Sequence, residues 1–218
     1  MNRCKWVSGA GVAVMLGLLG PGCMSSSSEV QRQAVEQKRT YLLEAGMPAA
    51  TATHAQAQAR FGTVKVRAFR ALPPFNSASL VVKRANGETV LDFYNAWVAP
   101  PHDLVRVQAM RYLERAGLFS AVYDAASGTL ASIGLEGSVC ELYLDCRGEK
   151  PAAVVTLRLM LLDERSSGFT VLCASEKSAR ADYDPSREDG IAHAFNAALT
   201  KALEEIATDM GEKRSNVF

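Results

Sequence analysis

The chain has 218 residues, a net charge of +1, 48% hydrophobic and 22% charged residues. This is ordinary globular composition, enough for one domain with a real core. Residues 1–22 hold Arg3 and Lys5 and no acid. Without them the chain stays near neutral, so charge gives no reason to propose nucleic acid as a partner.

The N-terminus has the layout of a secretory signal peptide. Arg3 and Lys5 form a basic region, Val7 to Leu19 an apolar run, and Gly20-Pro21-Gly22 a break before Cys23. The run falls short of the ~20 apolar residues that a membrane-spanning helix needs. A cysteine directly after a small residue looks like a bacterial lipobox, with Leu19 one place early. Diacylglycerol would be attached to the Cys23 thiol, and cleavage would make Cys23 the first residue. Ordinary secretion or a retained anchor are the alternatives. Met24-Ser25-Ser26-Ser27-Ser28 reads as a flexible tether. By resemblance to lipoprotein sorting in Gram-negative bacteria, Met24 after the cysteine favours the outer membrane.

Glu29–Arg39 is polar, Thr40–Leu43 a short strand candidate, and Ala49–Ala59 a weakly structured connection. The compact domain is expected from about residue 60. Val64, Val66 and Ala68 alternate with polar or larger residues as a strand. Leu80–Arg84 and Thr89–Asn95 flank Asn86-Gly87, a strong hairpin signal. Pro100-Pro101 ends the strand, and Pro101 suits the first turn of a helix. That helix has Val105, Ala109, Tyr112, Leu113 and Ala116 on one face and Gln108, Arg111, Glu114 and Arg115 on the other. Gly117 is its stop, and Ala121-Val122-Tyr123 follows as an apolar segment.

The second half reads as an antiparallel meander: Val139–Leu144 with Cys140, Leu142 and Leu144 on one side, Ala152–Asp163, then Phe169–Ala174. Asp184-Pro185 offers the cap of a last helix, whose apolar stripe is Ile191, Phe195, Ala198, Leu199, Ala202, Ile206 and Met210, with Gly211 as its stop. Two amphipathic helices packed on a mixed, largely antiparallel sheet of about six or seven strands make an α/β sandwich. The divisions are 1–22 signal, 23–59 lipidated cysteine, tether and short strand, 60–211 domain, and 212–218 polar tail.

No catalytic motif stands out: there is no Gly-x-Ser-x-Gly, phosphate loop, HExxH or dinucleotide-binding glycine pattern. No cysteine or histidine spacing suggests a metal, and no cofactor is expected. Cys140, Cys146 and Cys173 remain after the signal and lipid cysteines. Cys140 and Cys146 would sit ~20 Å apart along one strand, too far for a disulfide; a pair with Cys173 is left open. Trp97 reads either as a packing tryptophan or as an aromatic anchor beside the rigid Pro100-Pro101 turn, offered to a partner protein.

The order hairpin, Trp-x-x-Pro-Pro, amphipathic helix, Gly-x-Phe, strand resembles the ABC-type transport auxiliary lipoproteins. Tyr41-Leu42-Leu43, Leu80 to Arg84, Asn95 to Pro101, Leu113 to Val122, the Ala152–Asp163 strand and the alanine-rich last helix carry the likeness. It implies a lipid-anchored α/β domain on the periplasmic face of the outer membrane. The domain would dock with an inner-membrane ABC transporter and an MCE-domain substrate-binding protein in lipid trafficking, without chemistry of its own. A homo-oligomer is left open. The competing readings are a lipoprotein that binds a small hydrophobic ligand between helices and sheet, and a structural or secretion-associated envelope lipoprotein.

Overall fold

The structure, a computed structural model, describes residues 37–48, 61–165 and 170–213. The signal segment, Cys23, the serine tether, the whole 49–59 connection, Phe169 and residues 214–218 of the polar tail lie outside the described residues.

Eleven elements follow in chain order. They are β1 (Arg39–Tyr41), β2 (Phe61–Val66), β3 (Arg70–Ala71), β4 (Ser79–Lys83), β5 (Thr89–Trp97), α1 (Pro101–Arg115), β6 (Phe119–Asp124), β7 (Ile133–Asp145), β8 (Ala152–Asp163), β9 (Thr170–Asp182) and α2 (Gly190–Lys213). The expected α/β sandwich is present, with nine strands among the described residues.

β7 is the spine of the sheet. Along one edge it pairs antiparallel with β8 over its whole length, and β8 pairs antiparallel with β9. Along its other edge three strands share it in series, all parallel: β2 at Ile133–Leu135, β3 at Ser138 and Val139, and β4 at Leu144 and Asp145. The sheet therefore forks, to β6 beside β2 at one end and to β5 and β1 beside β4 at the other.

Alternation assigns the faces. Ala153, Val155, Leu157, Leu159 and Leu161 of β8 are fully buried on the side that carries the helices. Phe195, Leu199, Leu203 and Ile206 of α2 and Val105, Ala109 and Leu113 of α1 occupy the space between the layers. The opposite face carries Thr156 and Arg158 between apolar Val154, Met160 and Leu162.

The middle strand of the expected meander has the expected bounds, the first and third are longer than the sequence suggests, and two bulges change their phase. The β7–β8 register shifts between Val139 and Glu141, so Cys140 and Glu141 stand opposite Thr156. Val139, not Cys140, shares the core face with Leu142 and Leu144. A second shift opposite Leu161 and Leu162 leaves Leu172 as the extra residue. Cys173 then turns inward while Val171 is exposed.

The helix termini divide the expectations. α1 begins at Pro101 as expected, with Pro100 extended before it, and Gly117 ends it at φ +67°. Gln108, however, is buried, and its Oε1 accepts a 3.2 Å bond from the Ala45 amide. α2 starts at Gly190, not at Asp184-Pro185; Asp184 instead caps a local turn by accepting from the Ser186 amide and hydroxyl. The Gly190 α-carbon lies so close to the Asp184 carbonyl that a side chain there would collide with its oxygen and crowd the Tyr183 ring. Gly211 does not stop α2; it is buried within the helix, which runs on to Lys213.

The ordered domain also begins before residue 60. Leu43 and Ala45 belong to the core. The backbone after β1 is strapped across both helices, Glu44 N to Asn196 Oδ1 at 2.8 Å, Ala45 N to Gln108 Oε1, and Gly46 N to Thr200 Oγ1 at 2.7 Å.

Candidate docking surface

The Asn86-Gly87 turn forms as expected, with Gly87 at φ +87° and Arg84 and Glu88 closing it by a 2.8 Å backbone bond. β5 leaves this turn paired to β4 up to Asp92 opposite Leu80, but the next pair is Ala96 opposite Ser79. Phe93, Tyr94 and Asn95 therefore have no partner on β4. Asp92 stitches this excursion together from inside the fold. Its Oδ1 accepts from the Tyr94 amide at 2.8 Å and the Asn95 amide at 3.1 Å, and its Oδ2 from Asn95 Nδ2 at 2.8 Å. Asn95 Oδ1 in turn accepts from the Tyr41 hydroxyl at 2.8 Å, which ties β1 to the bulge.

The bulge throws two aromatic rings outward. Phe93 is 75% exposed and Tyr94 37%, packed edge to face at 5.3 Å, with Leu91 50% exposed two residues earlier. Lys38 Nζ stands 6.0 Å from the centre of the Phe93 ring.

Trp97 does the opposite. It is 3% exposed and meets Phe195 of α2 edge to face at 4.9 Å. Of its two readings the packing one fits; the ring is not offered to a partner. Pro101 is buried and Pro100 half-buried where the chain turns into α1. The turn thus fixes the helix rather than presenting a surface anchor. The outward aromatics were not legible as such, since Phe93-Tyr94 reads as ordinary strand alternation; the only hint was Asp92, a residue with a short acceptor side chain inside an apolar strand.

The helix-free face of the sheet is a field of compensated charge. Lys83 Nζ lies 3.6 Å from the Tyr143 ring centre and 3.6 Å from Glu141 Oε1. The Thr156 hydroxyl bridges Glu141 and Ser178 at 2.9 Å each, and Arg158 pairs with Glu176 at 2.7 Å. Arg67 spans Glu136 and Glu164 at 3.0 and 2.8 Å. Asp145 is buried and takes Arg147 at 2.9 Å and Arg180 at 2.8 Å. The Arg147 guanidinium, with help from Arg180, holds the Asp145 carboxyl well below the usual carboxylate range.

Among the described residues no disulfide forms, and Cys140, Cys146 and Cys173 all carry thiols. Burial pushes the Cys140 and Cys173 thiols up, which keeps them protonated and poorly nucleophilic. No group of three or more metal-ligating side chains occurs among the described residues, and no described helix is long and apolar enough to cross a membrane.

Two helices on one face of a forked mixed sheet, with a strapped β1 and a long β7 spine, define an α/β sandwich of a known kind. The crystal structure of protein XCC0632 from Xanthomonas campestris is similar to it at a TM-score of 0.61 and 21% identity, over 81% of this chain and 96% of that one. A second crystal structure, of an uncharacterized protein, is similar at 0.59 and 12% identity, over 80% and 99%. At these identities the likeness is one of fold. Among curated proteins none matches the chain in sequence. The family model of the ABC-type transport auxiliary lipoprotein component matches residues 41–207, and the chain belongs to that family. It is thus an auxiliary lipoprotein of ABC-type transport, a protein of the cell envelope.

Proposed function

We propose that this chain is anchored by lipid on Cys23 to the periplasmic face of the outer membrane and docks there with an MCE-type lipid transport system. Its partners would be an MCE-domain substrate-binding protein and an inner-membrane ABC transporter, and its contribution is binding and placement rather than catalysis. The observation that carries the reading is the order of the parts along the chain. The family match begins at residue 41, within β1, and follows by a dozen residues a segment with the layout of a lipoprotein signal and tether, residues 1–28.

The separation of parts supports it. A serine-rich stretch follows Cys23, which sets the lipid-bearing residue apart in sequence from the folded domain. Several acyl chains on one cysteine anchor stably, at ~0.8 kcal/mol per buried CH₂. Phe195, Leu199, Leu203 and Ile206 occupy the space between helices and sheet, which weighs against a hydrophobic ligand bound there.

The test is mass spectrometry of the mature N-terminus, combined with separation of inner and outer membranes on a density gradient. The expected result is an acylated Cys23 in the outer-membrane fraction. An unmodified N-terminus, or an acylated chain confined to the inner membrane, would overturn the corresponding half of the proposal.

A further inference from the structure

We propose that the bulge of β5 is a lipid-contact site: Phe93, Tyr94 and Leu91, flanked by Lys38 at the Phe93 ring and by exposed Arg39, which pairs in register with Asn95, rest on the headgroup region of the membrane that holds the anchor. The inference rests on the lipidation of Cys23.

Three observations lead to a bilayer surface. The first is position. Lys38 lies 15 residues after Cys23, so even a fully extended chain holds it within ~50 Å of the lipid-bearing residue. The anchor therefore keeps the start of β1 within reach of the membrane, and Lys38 of that start stands over the Phe93 ring. The second is chemistry. An exposed Phe-Tyr pair with a leucine beside it and cations at its rim suits the boundary between acyl chains and headgroups. There the rings enter shallowly, the phenol stays wet, and lysine or arginine meets anionic lipid.

The third is size. Even the larger aromatic side chains bury ~150–250 Å² each, so three side chains fall short of the ~800 Å² per partner of a standard protein interface. A weak contact suffices at a membrane where a lipid already supplies the binding. The protrusion is also built in, because the Asp92 carboxylate fixes the backbone of Tyr94 and Asn95 from a buried position.

The test uses tryptophan fluorescence on the mature acylated protein in vesicles of phosphatidylethanolamine and phosphatidylglycerol with brominated acyl chains. Phe93→Trp replaces one exposed aromatic by another and leaves the core alone. Its added emission should be largely lost to bromine. The Trp97 emission of the unsubstituted protein, and that of Val171→Trp on the exposed part of β9, should not be. Flotation of the protein with the vesicles reports the anchor separately. Full emission from Phe93→Trp on vesicles that carry the acylated protein would overturn the proposal. So would protection of that residue only when a periplasmic partner protein is added. If the chain proves unacylated, the anchor reading fails on its own. Phe93→Trp mixed with excess brominated vesicles then decides the patch, quenching upholding it and full emission overturning it.

Discussion

Trp97 and Asp145 show how much single side chains carry here. Trp97 sits where β5 ends, edge to face with Phe195. Trp97→Ala should destabilise the domain by ~3–5 kcal/mol, the usual cost of emptying a large buried aromatic site, and Trp97→Phe by clearly less. Denaturant unfolding followed by circular dichroism checks both, and near-equal stability of Trp97→Ala and the parent would contradict the packing. Asp145 makes the fold sensitive to acid. Its carboxyl is held below its unfolded value, so its contribution is complete above the ordinary aspartate pKa of about 3.9 and is lost as pH falls below it. Asp145→Asn should therefore cost ~2 kcal/mol near neutrality and flatten the acid limb of the stability curve. The thiols give a third readout. Cys173, buried with a raised pKa, should resist a thiol reagent until the protein unfolds; rapid labelling of Cys173 in the native protein would contradict its place beneath α2.

At the level of elements, Gly137 shows why β7 was read too short. Its α-carbon faces the helix layer, and the Phe69 ring lies where a side chain would be. Gly137→Ala drives a methyl group into that ring and should cost ~1–3 kcal/mol. Combining it with Phe69→Leu should cost less than the two separate effects together, as measured by a double-mutant cycle. A glycine in a strand signals a break to sequence reasoning, although here it records a close approach. The far half of β9 was missed for a related reason. Ser175 and Ala179 are small because α2 covers them, and Glu176, Ser178 and Arg180 are polar because they face water. The stretch therefore lacks the β-branched and aromatic residues that mark strands. The hairpin, α1 and the apolar stripe of α2 were legible, because turn chemistry and a 3.6-residue period are local properties. The start of α2 depends on how the turn at Asp184 packs against Gly190, and the two bulges depend on strands distant in sequence.

The whole molecule was legible at the level of architecture and family. Two amphipathic faces and a run of strands admit few layered solutions, and the order around the Trp-x-x-Pro-Pro stretch agrees with the family match over 41–207. The surface that faces outward was not legible. Trp97 was the conspicuous aromatic and is inside, whereas Phe93 and Tyr94 are outside because a buried aspartate bulges the strand. Co-purification is the sharpest test of the proposed docking in a transport system. The acylated full-length protein, tagged at its C-terminus, should bring an MCE-domain protein and its ABC ATPase out of gently solubilised envelopes. Cys23→Ser should reduce that recovery when the same membranes are used. Recovery of the acylated protein with neither component, from cells in which both are present, would contradict the account.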